Sequence, residues 1–151
     1  MTDKNKRNIK VGFTAGAFDL LHAGHILMLE EAKSVCDHLT VAVQSDPSLD
    51  RASKNKPIQS YEERIIQVKA LIYVDEVILY DTEDDLINLL KNTNIDVRII
   101  GDDHKGKQFT GWDLPIDLYF NSREHGYSTS ELRKRIYYEE KALLDSNAVR
   151  S

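Results

Sequence analysis

Ile9-Lys10-Val11-Gly12-Phe13-Thr14-Ala15 is an apolar run that passes without a break into Gly16-Ala17-Phe18-Asp19-Leu20-Leu21-His22-Ala23-Gly24-His25. The first part predicts a buried strand, because apolar and β-branched residues dominate it. Beyond it Ile26, Leu29, Ala32 and Cys36 recur at three- or four-residue spacing, which predicts an amphipathic helix over 23–35. Leu39 to Gln44 (LTVAVQ) then repeats the strand signal. Strand, helix, strand in this rhythm is a βαβ unit.

The alternation continues outward. A helix is expected over 61–72, a strand over 76–80, a helix over 84–91, strands over 97–100 and 116–120, and a last helix with Leu132, Ile136 and Leu143 on one side. Strands separated by helices imply a parallel sheet, so the expected fold is α/β, a single doubly wound Rossmann-like sheet. Two polar loops interrupt the order. One is 46–59, with Pro47 and Pro57; the other is 102–115, with Gly106 and Gly111 inside and Gly101 just before it. Both follow strands, where ligands of open α/β sheets bind. The first eight residues and the tail after Leu144 are expected to fray.

A length of 151 residues with 41% hydrophobic and 30% charged side chains fits one soluble globular domain and leaves no room for two. No apolar run approaches the ~20 residues that span a bilayer, and the polar start MTDKNKRN is unlike a secretory signal. A cytoplasmic protein without membrane insertion is expected. The net charge of -5 argues against nucleic acid as a partner, since such binding neutralises phosphates with Lys and Arg. The single cysteine, Cys36, excludes an internal disulfide and reads as core.

The strand-to-helix turn at 16–25 presents backbone N–H groups and the positive end of a helix dipole, a site suited to phosphate. Its glycines form neither G-x-G-x-x-G nor a Walker loop. His22 and His25 at a helix start share one face, with Cβ atoms roughly 5–6 Å apart. Gly24 between them allows close approach to the backbone. The residues alone leave three readings: hydrogen bonding to phosphate, a metal pair completed by Asp102, Asp103 or His104, and a helix cap. The segment 123–131 (REHGYSTSE) likewise reads two ways. Ser128 with Glu131 is a capping box, and Arg123, Gly126, Ser128 and Thr129 also make an anion site at a helix start.

The string from Gly16 to His25 resembles the G-x-F-D-x-x-H-x-G-H signature of the nucleotidyltransferase superfamily, and is most similar to the glycerol-3-phosphate cytidylyltransferase family. Arg123, Gly126, Ser128 and Thr129 match that family's R-T-E-G-I-S-T-T motif, while Glu124, His125 and Tyr127 depart from it. Ser60 to Arg64 resembles S-Y-E-x-R, Tyr73 to Val77 resembles Y-V-D-E-V, and Gly101 to Asp103 resembles G-D-D-W with His104 in place of tryptophan.

The resemblance implies transfer of CMP from CTP to a small alcohol phosphate of the glycerol 3-phosphate kind, with Mg²⁺ carried by the nucleotide and no metal ligand from the protein. It implies catalytic roles for His22, His25, Lys56, Arg64 and Arg123. The nucleotide is expected against Thr14, Ala15, Gly16, Ala17, Phe18, Asp19, His22, Gly24, His25, Lys54, Gly101, Asp102, Asp103, His104, Arg123, Gly126, Tyr127, Ser128 and Thr129. Asp19 either shapes the turn or touches metal. The Y-V-D-E-V likeness implies a homodimer.

Leu86 stands where glycerol-phosphate members carry a lysine, next to the acidic run 81–85 (DTEDD). That run suits an acceptor bearing an amine, or is a solvated helix start. Two rivals stand beside the main reading. L-H-A-G-H and G-Y-S-T-S also look like the domain that activates heptose phosphate with ATP, an adenylyltransferase. The other rival is a nucleotide-binding regulatory protein without turnover.

Overall fold

A computed structural model describes residues 8–150, the side chains of 149 and 150 excepted. Residues 1–7, where fraying was expected, lie outside the described residues. The chain order is β1 (Val11–Gly16), α1 (Ala23–Ser34), β2 (His38–Gln44), α2 (Tyr61–Lys69), β3 (Glu76–Tyr80), α3 (Glu83–Asn92), β4 (Val97–Gly101), β5 (Asp117–Asn121) and α4 (Thr129–Arg150). The five strands pair in the order β3-β2-β1-β4-β5, every pairing parallel. The chain winds outward from β1 through β2 to β3, then restarts beside β1 with β4. A crevice therefore opens beyond the carboxyl ends of β1 and β4, where the winding reverses.

Each face of the sheet is closed by its own apolar cluster. Leu29, Leu39, Val41, Val43, Val68 and Ile99 form one, with Cys36 packed against it; Phe13, Ala42, Tyr80, Leu86 and Leu90 form the other. Alternate residues of β2 serve opposite faces, as the pleat requires, and the strand is apolar throughout because both faces are covered. Ser60 and Thr82 cap α2 and α3 in reciprocal boxes with Glu63 and Asp85.

Two helix ends differ from expectation. α2 stops at Lys69, three residues early, and the chain turns so that Leu71, Tyr73 and Val74 pack against the first cluster. α4 runs on to Arg150 instead of fraying after Leu144, because no glycine or proline between 129 and 150 stops it. Among the described residues no helix is long and apolar enough to cross a membrane.

The seam between β1 and α1 is tight at Gly12. A Cβ there would lie 2.7 Å from Cys36 Sγ and 3.1 Å from Ile99 Cδ1. Gly12→Ala is expected to cost about 1–3 kcal/mol by overpacking, and Cys36→Ala in the same chain to recover most of it. Urea unfolding of the two single variants and the double variant measures this coupling; purely additive losses would contradict the contact.

Candidate active site

The turn after β1 is strained, and its neighbours hold it. Phe18 and Leu20 have φ of 53° and 49°, in the left-handed region that side chains disfavour. Between them Asp19, nearly buried, accepts hydrogen bonds from the backbone N–H groups of Ile58 (2.8 Å) and Gln59 (2.9 Å). The Gln59 side chain returns a bond, accepting from Leu20 N at 2.8 Å. Asp19 thus shapes the turn and pins the end of the 46–59 loop to it, both carboxylate oxygens being engaged.

Arg64 completes the brace. Its side chain is 1% exposed, so it does not reach the crevice to neutralise phosphate as the motif implied. Its guanidinium donates to the carbonyls of Ala17 (2.8 Å), Gln44 (2.6 Å) and Ser45, and Nε to those of Gln59 and Ser60 (3.3 Å each). Five carbonyls from the ends of β1 and β2 and from the loop converge on one cation. Arg64 is therefore a bracing residue, with Asp19 near enough to favour its charge while burial opposes it.

Beyond the turn, α1 is capped by the two histidines themselves. His22 Nδ1 accepts from Gly24 N (3.0 Å), and His25 Nδ1 accepts from His22 N (3.2 Å). Gly24 is required here, since a Cβ would lie 2.8 Å from the His22 ring and 3.0 Å from Tyr127 Cβ. Because each Nδ1 accepts, the proton of each neutral ring sits on Nε2. His22 Nε2 then donates to Thr129 Oγ1 at 3.1 Å, tying the start of α1 to the start of α4.

Desolvation, aided by His22 and Arg123, pushes His25 down to about 3; desolvation, aided by His125, also lowers His22. Both rings are neutral N–H donors at pH 7. The rings lie 3.9 Å apart, and among the described residues no group of three His, Cys, Asp or Glu side chains is placed to hold a metal.

α4 begins as its capping sequence predicts, with Ser128 Oγ accepting from Glu131 N at 3.1 Å. Gly126, at φ 71°, supplies the left-handed turn before it. Two helix N-termini consequently face one crevice. The crevice has two adjoining chambers that share Thr14 to Ala17, Lys54, Asn121 and Arg123.

The first chamber, about 360 Å³, brings together Thr14 to Asp19, His22, His25, Lys54, Arg123, Tyr127, Ser128 and Thr129. The second, about 250 Å³, includes Gly101 and His104. Several expected residues line neither: Lys56, Arg64, Gly24, Asp102, Asp103 and Gly126. Of the two loop lysines, Lys54 is the one at the crevice. Asp103 acts at one remove by pairing with Arg123 (3.3 Å), whose guanidinium lies against Gly101 where a Cβ would be 2.5 Å away. Asp102 is exposed at the start of a short 3₁₀ turn.

Ser130 of the hydroxyl run also lines the first chamber, and Arg133 and Asn121 there lie outside the motifs. Arg133 follows Thr129 by four residues on the same helix face. Asn121, buried at the end of β5, donates to Met28 O (3.3 Å), while its Oδ1 has no partner. Arg133 Nη1 is buried and unpartnered too. Helical spacing signals Arg133; nothing local signals Asn121.

Residues 13–135 match the model of the cytidylyltransferase-like family, and the chain belongs to that family. Its relatives include the bifunctional protein HldE of Campylobacter concisus, 37% identical over 137 residues, which are 90% of this chain and 28% of that protein. The chain thus spans little more than a quarter of that relative. The lipopolysaccharide core biosynthesis protein of Thermoplasma volcanium is similar in structure, with a TM-score of 0.61 and 29% identity over 76% of this chain and 95% of that one. Pantoate-beta-alanine ligase of Francisella tularensis shares the fold, with a TM-score of 0.51 and 15% identity over 87% of this chain and 70% of that one.

Two outcomes follow from the geometry. Arg64→Met is expected to destabilise by about 3 kcal/mol or more, since several buried carbonyls lose their donor; chemical unfolding measures it. As pH falls below about 6.5 the unfolded chain protonates position 25 and the folded chain does not, so this histidine costs about 1.4 kcal/mol by pH 5.5 and nothing above pH 7.5. Unfolding at the two pH values, in the native chain and in His25→Gln, isolates that loss.

Proposed function

We propose that this chain is an adenylyltransferase that moves AMP from ATP to the phosphate of a sugar phosphate and releases pyrophosphate. The observation that carries the transfer chemistry is the meeting of two helix N-termini through the His22–Thr129 hydrogen bond, with Lys54, Arg123 and Arg133 around the same chamber. Such a cradle suits a triphosphate. The choice of ATP and a sugar phosphate rests on L-H-A-G-H and G-Y-S-T-S and on the HldE and lipopolysaccharide core relatives. Those relatives weigh against CTP with a glycerol 3-phosphate-like acceptor, the reading that the motifs placed first.

In this proposal an acceptor phosphate oxygen attacks the α-phosphorus in line. The bond from that phosphorus to the β-bridging oxygen breaks, pyrophosphate leaves with the electron pair, and a diphosphate linkage forms. No covalent protein intermediate is required. The Nε2–H of His25 donates to the α-phosphoryl oxygens, and the Nε2–H of His22, bonded to Thr129 Oγ1, is shared between that hydroxyl and the same oxygens. Being neutral, both rings do so without the desolvation cost of a buried cation, and their bonds strengthen as charge builds on those oxygens. Lys54 and Arg123 offset phosphate charge at the junction of the chambers, while Ser128, Thr129 and Arg133 hold the outer phosphates. Mg²⁺ would be carried by the triphosphate and, when bound, would screen its charge. Asp19 is read as a residue of the turn and not of the metal site, its two oxygens accepting from Ile58 N and Gln59 N.

A homodimer through 73–77 is part of the proposal, with Ile72 just before that segment standing where the family often has arginine. Ile72, 85% exposed, offers apolar surface there, whereas Tyr73 bonds Glu30 and Asp75 bonds Lys33 and Leu39 N within the same subunit.

Pyrophosphate release is to be measured with each ribonucleoside triphosphate against a heptose 1-phosphate and glycerol 3-phosphate. ATP with the sugar phosphate is expected to be fastest; faster turnover with CTP would overturn the base assignment, and no turnover at all would favour a regulatory protein. His22→Asn keeps a good N-cap but removes the Nε2 donor. It is expected to lower kcat at least a hundredfold, about 2.7 kcal/mol, while the lost bond to Thr129 costs about 1 kcal/mol of stability.

A further inference from the structure

The acidic run 81–85 does not behave as one patch. Asp85 caps α3 by accepting from Thr82 N (3.0 Å) and Asp81 N (3.3 Å), and Asp84 is exposed. Glu83 alone of the five lines the crevice, in the second chamber. Its backbone is fixed by a hydrogen bond to Asp50 (2.6 Å), and its carboxylate lies 2.9 Å from Arg51 Nη2. Arg51 Nη2 also reaches Gln44 Oε1 at 3.4 Å. The ion pair with Glu83 is close, but its angle gives no hydrogen bond. Glu83 Oε1 is buried, and among the described residues the Arg51 nitrogen of that ion pair is its one close contact. A carboxylate accepts several hydrogen bonds, so Glu83, ion-paired to Arg51, has acceptor capacity left in the chamber wall for a ligand that supplies donors.

The rest of the chamber limits what that ligand is. Arg51 balances the charge of Glu83, so the pair attracts hydroxyls more than an ammonium group. Leu86 and Phe109 give apolar wall on which the C–H face of a ring can lie, and Arg98 is committed to Thr110 O and to the Phe109 ring, 5.2 Å from its centroid. Lys54 and Arg123 stand where this chamber joins the first, beside the shared Thr14 to Ala17 strip. A phosphate there is within reach of a nucleotide in the first chamber while the remainder of the acceptor fills the second.

We propose that Glu83, held by Arg51, is the residue that selects a polyhydroxylated sugar phosphate as acceptor, taking hydrogen bonds from its ring hydroxyls. This rests on the reading of the crevice as a nucleotidyl-transfer site and specifies its acceptor. It also replaces the amine-bearing acceptor that the acidic run suggested.

The test is titration calorimetry of the full chain with a hexose 1-phosphate, a heptose 1-phosphate, glycerol 3-phosphate and ethanolamine phosphate, joined to acceptor and ATP kinetics. The native chain is expected to bind at least one of the sugar phosphates tenfold or more tightly than the two small phosphates. Glu83→Ala is expected to erase that preference and raise the acceptor KM at least tenfold, with the ATP KM within twofold. Glu83→Gln, which preserves shape, is expected to fall between. Arg51→Gln, by unbalancing the carboxylate, is expected to improve ethanolamine phosphate binding.

Retention of the preference in both Glu83 variants, an equal rise in the ATP KM, or a native chain that binds no sugar phosphate would overturn the proposal. A chain that binds sugar phosphate through Glu83 yet releases pyrophosphate from CTP and not ATP would support it while overturning the adenylyl assignment.

Discussion

Everything at the crevice depends on a short strained turn being held still. Left-handed backbone at Phe18 and Leu20 costs about 1–3 kcal/mol at each residue and persists only where surrounding contacts over-determine it. Here the contacts are two buried charges used as staples. The Asp19 carboxylate takes two N–H groups of the 46–59 loop, and the Arg64 guanidinium takes carbonyls from the ends of β1 and β2 and from that same loop. A buried charge is tolerated when hydrogen bonds satisfy it, and once satisfied it is difficult to move. The turn that presents the histidines and the end of the 46–59 loop are consequently held to each other.

The histidines inherit their state from that frame. Their Nδ1 atoms cap α1, which fixes the tautomer and aims Nε2 away from the helix, and burial keeps the rings neutral. Helix capping, one of the readings that were alternatives in the sequence, uses Nδ1 of both rings, and the proposed bonds to phosphate would fall to the opposite nitrogens. The chemistry proposed here asks for hydrogen-bond donors at developing charge and for fixed cations at its edges, and the crevice has both.

The alternation of strands and helices was legible because each element carries its own apolar period, and the parallel pairing followed from that alternation. Sites placed by short local motifs were also legible, since His22, His25, Ser128 and Thr129 lie within a turn of the caps that position them. The reading failed where distant groups decide. Arg64 looks like a solvent-side or substrate-side cation in any local window, and its five carbonyl partners lie up to 47 residues away. The same is true of Lys56 against Lys54, which differ by where the loop is pinned to Asp19. Glu83 among its acidic neighbours is likewise singled out by Arg51 and Asp50, which belong to the preceding loop. Asn121 has no local signature.

The central claim is a single in-line displacement at the α-phosphorus, stabilised by neutral histidine donors without a covalent protein intermediate. The most direct measurement is the stereochemical course at that atom, using ATP with sulfur in place of one α-oxygen in a known configuration and determining the configuration of the product by phosphorus NMR. One displacement inverts the centre, and inversion is the predicted result. Retention would require two displacements through a nucleotidylated side chain and would contradict the account.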